Sequence, residues 1–222
     1  MTSVVAVVFD VGETLIDETE AWGGWADWLG VPRLTLFATL GGVIARGGHH
    51  SDALRMVRPG IDVDAETQAR DAAGRGFRMT ADDLYPDALP CLRALVAAGI
   101  VVGVAGNQPP STETVLRGMD VPLALVASSQ RWGVEKPDPA FFARICEELR
   151  LTANEIVYVG DRLDNDVGGA AAAGMRAVFL RRGPWAIIQS ASQDPLAAGA
   201  AATIDSLAEL PRVLAAIGGA GR

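Results

Sequence analysis

Lysine is nearly missing from this sequence. Every basic side chain is arginine except Lys136, and a chain that otherwise uses arginine throughout retains a lysine where a compact ammonium is needed and a planar fork does not fit. Cysteine is almost as scarce. Cys91 and Cys146 are the only two; both fall in segments that read as helices, and their spacing suits neither a metal site nor a redox pair, so buried, reduced thiols are expected and a disulfide is not. Histidine occurs only as the pair His49 and His50. Positive charge is in deficit as well: the formal net charge is −8 and the isoelectric point about 4.8, a balance that repels nucleic acid and anionic membrane surfaces. No apolar run approaches the length that spans a bilayer. The opening MTSVVAVVFD has no basic flank and runs directly into charged residues, so it is expected as a buried strand and not as a signal peptide. These absences predict a soluble, cytoplasmic protein with no nucleic-acid partner and no membrane partner. At 222 residues the chain is long enough to bury a substantial core without staples.

What the sequence does contain is alternation. Strand-like runs, VVAVVF near the start, IVVGVA from Ile100, LALVAS from Leu123, EIVYVG from Glu155 and RAVFL from Arg176, are separated by stretches such as DALPCLRALVAAG and PAFFARICEELR with apolar residues at helical spacing. That pattern predicts an α/β fold, a doubly wound parallel sheet of Rossmann-like form, with a ligand crevice at the carboxyl ends of the strands. Between residues 19 and 83 the alternation stops, and helical pieces rich in tryptophan and arginine are broken by glycine pairs and Pro59-Gly60. The expected organisation is therefore a core of residues 1–18 and 84–222 with an all-helical insertion, or cap, over 19–83. Near the C-terminus the piece ATID reads as a short strand and a closing helix is expected from Ser206, fraying at GGAGR.

Four pieces would converge if the strands are parallel and adjacent. FDVGETLID sets Asp10 directly after an apolar strand, ahead of a tight turn and Thr14; VVGVAGNQ ends a strand in Gly106-Asn107; GVEKPDPAFF places Lys136 before a proline-initiated helix; VYVGDRLDNDVGGA opens a strand onto Asp161, Asp164 and Asp166. In this order they resemble the four motifs of the haloacid dehalogenase superfamily, in its phosphatase-like branch with a helical cap of the C1 type. The resemblance extends over nearly the whole chain outside the insertion, including YPDALPCLRALVAAGI and the stretch from Glu135 to Met175.

The resemblance implies a role for each residue. Asp10 attacks phosphorus and forms an aspartyl phosphate. Asp10 and Asp161, with the carbonyl of Gly12, hold Mg²⁺, a hard cation suited to oxygen ligands, and Asp166 is a further ligand or orients one. Lys136 offsets the packed carboxylates and contacts phosphoryl oxygens, while Thr14, Gly106, Asn107 and neighbouring N–H groups complete the substrate cradle. The substrate class implied is a small phosphorylated metabolite. Two positions depart from the family pattern. Gly12 stands where an aspartate usually protonates the leaving group and activates water, and Gly106 stands where a hydroxyl usually binds phosphate. A positioned acid–base group is worth about 10²–10⁴-fold in rate, so the expectation is a slow phosphatase or one limited to good leaving groups. The alternative is a catalytically impaired member that binds a phosphorylated ligand, or holds a long-lived aspartyl phosphate, without efficient turnover. Glu13 is not expected to replace the missing acid, because adjacent side chains on a turn point apart, whereas His49 and His50 are the cap's own candidates or idle surface residues.

Sister chemistries fit less well. Phosphonate hydrolysis in the superfamily uses a cap lysine and this insertion has none, and dehalogenases usually carry serine and asparagine where the acidic cluster around Asp161 stands. Trp22, Trp25 and Trp28 are expected to pack cap helices, Asp164 to serve as a solvated turn or helix cap, and Arg33, Arg46, Arg55 and Arg58 either to clamp a second anionic group or to form a solvated face. Arg181, Arg182 and Trp185 follow a strand and are pocket candidates by position. The apolar patterns leave the oligomeric state open.

Overall fold

The computed structural model describes residues 3–219; the last three residues of the expected C-terminal fray, 220–222, lie outside them. The chain forms two compact units, one built from residues up to Asp17 and from Thr80 onward, the other from Glu18–Met79. The boundary at 79 falls before the residue-83 limit drawn from composition because the next segment is bound back to the first: Asp17 N donates to Asp83 O at 2.8 Å, and Ile16 bridges Leu84.

The Glu18–Met79 unit holds four helices, α1 (Thr19–Leu29), α2 (Arg33–Ile44), α3 (Ser51–Val57) and α4 (Val63–Ala72). Gly30, at φ 68°, closes α1 in a left-handed conformation, and the Asp62 side chain accepts from Asp64 N and Ala65 N to cap α4. The tryptophans take part in packing this unit. Trp25 lies under the Arg70 guanidinium at 4.1 Å, and Trp28 donates to Glu66 at 2.7 Å with Arg75 above its ring. Arg33 pairs with Asp27 and Glu20, Arg55 with Asp52, and Arg58 donates to Leu29 O.

The other unit is a six-stranded sheet, β1 (Ala6–Phe9), β2 (Val101–Gly106), β3 (Leu125–Ser128), β4 (Ile156–Gly160), β5 (Arg176–Leu180) and β6 (Ala200–Ile204). All pairings are parallel and the order is β3-β2-β1-β4-β5-β6. Its connections run through α5 (Ala88–Ala97), α6 (Pro110–Arg117), α7 (Ser129–Trp132), α8 (Pro139–Leu149), a π-helical turn (Leu163–Gly168) leading into α9 (Gly169–Ala172), and α10 (Gly183–Ser190); α11 (Leu210–Gly219) closes the chain. β1 is buried along its whole length, as β-branched residues covered on both faces require. Ala6 and Val8 meet Phe141, Phe142, Ile145 and Tyr158 in one core cluster; Val7 and Phe9, at alternate positions, point to the other face. From β1 the chain winds outward to β2 and β3, then returns to β4 and winds the other way. This reversal between β1 and β4 is where an open parallel sheet leaves a crevice at its carboxyl edge.

Candidate active site

Three strand ends deliver the site. Asp10 is the residue after β1, with its amide bound to Val159 O at 2.9 Å; Gly106 ends β2; Asp161 follows β4. The backbone then turns through the π-helical segment, in which Val167 N and Asp166 N both donate to Arg162 O. A wide turn of this kind swings Asp166 back toward the sheet edge. Arg162 N donates to Asp166 Oδ2 at 3.0 Å, and Gly160 allows the approach, since a Cβ there would collide with the Asp166 carboxyl.

Lys136 joins these pieces. Its Nζ donates to Asp10 Oδ1 and to Asp166 Oδ1, each at 2.6 Å. Its backbone is clasped by Asn107, whose Oδ1 accepts from Lys136 N at 2.8 Å and whose Nδ2 donates to Lys136 O at 3.0 Å. Asn107 therefore positions the lysine, a role the sequence did not suggest. A second feature missed from sequence is Tyr158, whose hydroxyl donates to Ala105 O at 2.7 Å while its ring lies 5.4 Å from Lys136 Nζ. An aromatic residue within a strand-like apolar run is the one signal the sequence offers for it, and a polar tip on such a residue has no marked partner along the chain.

The electrostatics are those of one ammonium among several carboxylates. Asp10, Lys136, Asp161 and Asp166 are all buried. One oxygen from each of Asp10, Asp161 and Asp166 lies within 4.8 Å of the others. Burial, reinforced by the charges of Asp166, Asp10 and Glu13, holds the Asp161 carboxyl well above the usual range. Burial also raises Asp166, to about 6, with Lys136 opposing the rise and Asp10 adding to it. For Lys136, burial works against the ammonium, but Asp10 and Asp166 more than offset it and hold the group well above its ordinary value. Asp161 Oδ2 is buried and has no hydrogen-bond partner. A buried carboxylate oxygen without a hydrogen-bond partner, in a cluster of three carboxylates that offers only oxygen donors, fits a hard divalent cation such as Mg²⁺.

Gly106 makes a close approach possible as well: a Cβ at this position would lie 2.6 Å from Asp10 Oδ1. Thr14 is fully buried with its hydroxyl unpartnered, and Gly12 bridges Ile16 within the same turn. Glu13 is buried at φ 53°, and its carboxylate accepts from the Tyr85 hydroxyl at 2.7 Å. Asp164 pairs with Arg162 and accepts from Asn165 N, as a turn residue does. The three pocket candidates after β5 turn out otherwise. Arg181 pairs with Asp205 at the surface, Trp185 is buried, and Arg182 is engaged with Thr14, Tyr85 and Asp87.

Comparison with known proteins points the same way. Residues 4–174 match the family model of haloacid dehalogenase-like hydrolases. A glyceraldehyde 3-phosphate phosphatase of Methanopyrus kandleri is 37% identical over 113 residues, 50% of this chain and 48% of that one. A plasmid-borne phosphoglycolate phosphatase of Cupriavidus necator is 30% identical over 222 residues, covering 94% of this chain and 92% of the relative. The chain thus spans about half the length of the first relative and nearly all of the second. Among solved structures, the magnesium-bound HAD-hydrolase YfnB of Bacillus subtilis superposes with a TM-score of 0.71 at 17% identity, over 96% of this chain and 99% of that one, a likeness of fold.

Proposed function

Because this chain belongs to the haloacid dehalogenase-like hydrolases, we propose that it is a Mg²⁺-dependent phosphatase acting on a small phosphorylated metabolite through Asp10, and that it is confined to substrates with good leaving groups. The observation that carries this reading is the buried cluster of Asp10, Asp161 and Asp166, of which Asp10 and Asp166 pair with the ammonium of Lys136. Asp10, Asp161, the Gly12 carbonyl and Asp166 would hold the metal, which when bound supplies positive charge that lets an anionic nucleophile approach a phosphate. The unit of residues 18–79 acts as the cap and sets specificity, and the protein works in the cytoplasm.

In the first half-reaction an Asp10 carboxylate oxygen bonds to phosphorus as the bond from phosphorus to the leaving oxygen breaks. Lys136 already donates to Asp10 Oδ1 and stabilises negative charge near the transferring group. Position 12 offers no proton to the leaving oxygen, so an acyl or aryl phosphate, which leaves as a stable anion, is favoured over an alkyl ester. In the second half-reaction water attacks phosphorus, the bond to Asp10 breaks and phosphate is released. Without a base at position 12 this step is slow, and the aspartyl phosphate accumulates. Gly12 and Gly106 also favour a second reading, a protein that binds a phosphorylated ligand and turns it over poorly.

Hydrolysis of acetyl phosphate, p-nitrophenyl phosphate and a simple alkyl phosphate, with Mg²⁺ and with EDTA, by the wild type, Asp10→Asn and Gly12→Asp, separates the two. Turnover that needs metal, disappears in Asp10→Asn, prefers acetyl phosphate and rises about 10²-fold or more toward alkyl phosphates in Gly12→Asp supports the hydrolase. No turnover by the wild type or by Gly12→Asp supports the binding protein.

A further inference from the structure

Arg182, just beyond β5, meets the turn that follows the proposed nucleophile from behind. Its Nη1 donates to Thr14 O at 3.1 Å, its Nη2 pairs with Asp87 Oδ2, and its guanidinium carbon stacks 4.2 Å from the centre of the Tyr85 ring. Tyr85 in turn donates to the Glu13 carboxylate. One planar side chain thus governs both Thr14, through its carbonyl, and Glu13, through the tyrosine. Glu13 needs such control. At φ 53° it holds the left-handed region, which is disfavoured by about 1 kcal/mol or more for a residue with a side chain.

The hub is itself anchored. Asp87 Oδ2 also accepts from Ser206 Oγ at 2.7 Å and from Leu207 N at 3.0 Å. Burial tends to raise the Asp87 carboxyl, but its bonds to Arg182 and Ser206 outweigh burial and hold it below the usual range. The aspartate therefore stays charged at neutral pH, and it fixes Arg182 to the segment after β6. Arg182 is mostly buried, with 13% of its side chain exposed, so the ion pair is not the screened surface kind.

We propose that Arg182, held by Asp87, is a positioning residue for the Gly12–Ile16 turn: it sets the geometry in which Asp10 and the Gly12 carbonyl are presented, without touching substrate. The proposal rests on the phosphatase reading for its catalytic consequence, and on the Arg182–Thr14 and Tyr85–Glu13 bonds for its structural one. Lysine cannot substitute, because a point ammonium cannot pair with Asp87, bond Thr14 O and stack on Tyr85 at once.

The test uses the full chain as wild type, Arg182→Lys, Arg182→Gln and Asp87→Asn, with acetyl phosphate kinetics and backbone hydrogen exchange. Expected are a fall in kcat of about 10-fold or more in both Arg182 variants with KM within a factor of about two, the pattern of lost transition-state geometry, and a smaller fall in Asp87→Asn. Amides of Glu13, Leu15 and Ile16 should exchange at least about 10-fold faster in the Arg182 variants while those of β4 and α8 keep wild-type rates. A rise in KM at constant kcat would instead make Arg182 a substrate contact and overturn the proposal. So would unchanged exchange over the turn. Should the wild type prove inactive, the phosphatase reading fails, but hydrogen exchange still decides whether Arg182 orders the turn. If the Arg182 variants fail to fold, exchange in Asp87→Asn, which loosens the anchor of Arg182, decides it: faster exchange at Glu13, Leu15 and Ile16 supports the proposal and wild-type rates overturn it.

Discussion

At the scale of single residues, Lys136 carries the heaviest electrostatic duty in the molecule. Its ammonium is the positive charge that bonds both Asp10 and Asp166 at 2.6 Å in a buried site. Removing one partner of a buried ion pair leaves an uncompensated charge, at a typical cost of about 3–5 kcal/mol. Lys136→Met is therefore expected to lower unfolding free energy by about that amount in urea denaturation at neutral pH, and to abolish turnover. The deficit should shrink in acid, where the orphaned carboxylates protonate. A loss below about 1 kcal/mol at neutral pH would mean that solvent reaches the site and screens it. That a lone lysine in an arginine-rich chain marks a special position was legible in the composition, and so was its motif. Its clasp by Asn107 was not, because two hydrogen bonds between residues 29 apart depend on how the ends of neighbouring segments meet.

At the scale of elements, the strand ends are held together by contacts that reach across the sheet. The Tyr158 hydroxyl, on β4, donates to Ala105 O, on β2, past the intervening β1. Tyr158→Phe leaves that buried carbonyl without its partner and is expected to destabilise by about 1–3 kcal/mol; the ring and its packing are kept, so thermal unfolding isolates the hydrogen bond. Gly160→Ala tests the next link. Its added methyl would overlap the Asp166 carboxyl, so it should reduce stability by about 1–3 kcal/mol and weaken Mg²⁺ binding measured by calorimetry. Unchanged metal affinity in Gly160→Ala would place Asp166 outside the ligand set. The strands themselves were readable in advance, since each is a short, β-branched or small-residue run between helical stretches. The π-helical turn of Leu163–Gly168 was not, because its wide hydrogen-bond pattern follows from where Asp166 must sit and leaves no periodicity in six residues.

For the whole molecule, the buried acidic site links stability, pH and metal. Burial raises Asp166 from 3.8 to about 6, and burial with the neighbouring carboxylates holds Asp161 well above its ordinary value in the same direction. The folded state then keeps protons that the unfolded chain releases, so these two groups make stability fall as pH rises from about 4 through 6. Magnesium held by the deprotonated carboxylates, as proposed, would oppose that fall. The Tm difference between Mg²⁺-loaded and EDTA-treated protein should accordingly be larger at pH 7.5 than at pH 5.5 in scanning fluorimetry. Equal shifts at both pH values, or none, would argue against a cation among Asp10, Asp161 and Asp166.

The alternation of strand and helix, the helical interruption and the four chemistry-bearing motifs were written in the sequence, because each follows from local periodicity or from residue types adjacent in the chain. They were enough to expect a parallel α/β core with Asp10, Lys136 and Asp161 at one edge, and to notice Gly12 and Gly106. Tertiary structure alone decided how those motifs are held. Arg182 looked like a pocket residue because it follows a strand, yet it bonds Thr14 O, 168 residues away, and pairs with Asp87, 95 residues away. Glu13 turned to Tyr85, 72 residues distant. Such partnerships join groups that are neighbours only after the sheet has assembled, and spacing along the chain does not encode the directions in which side chains then point.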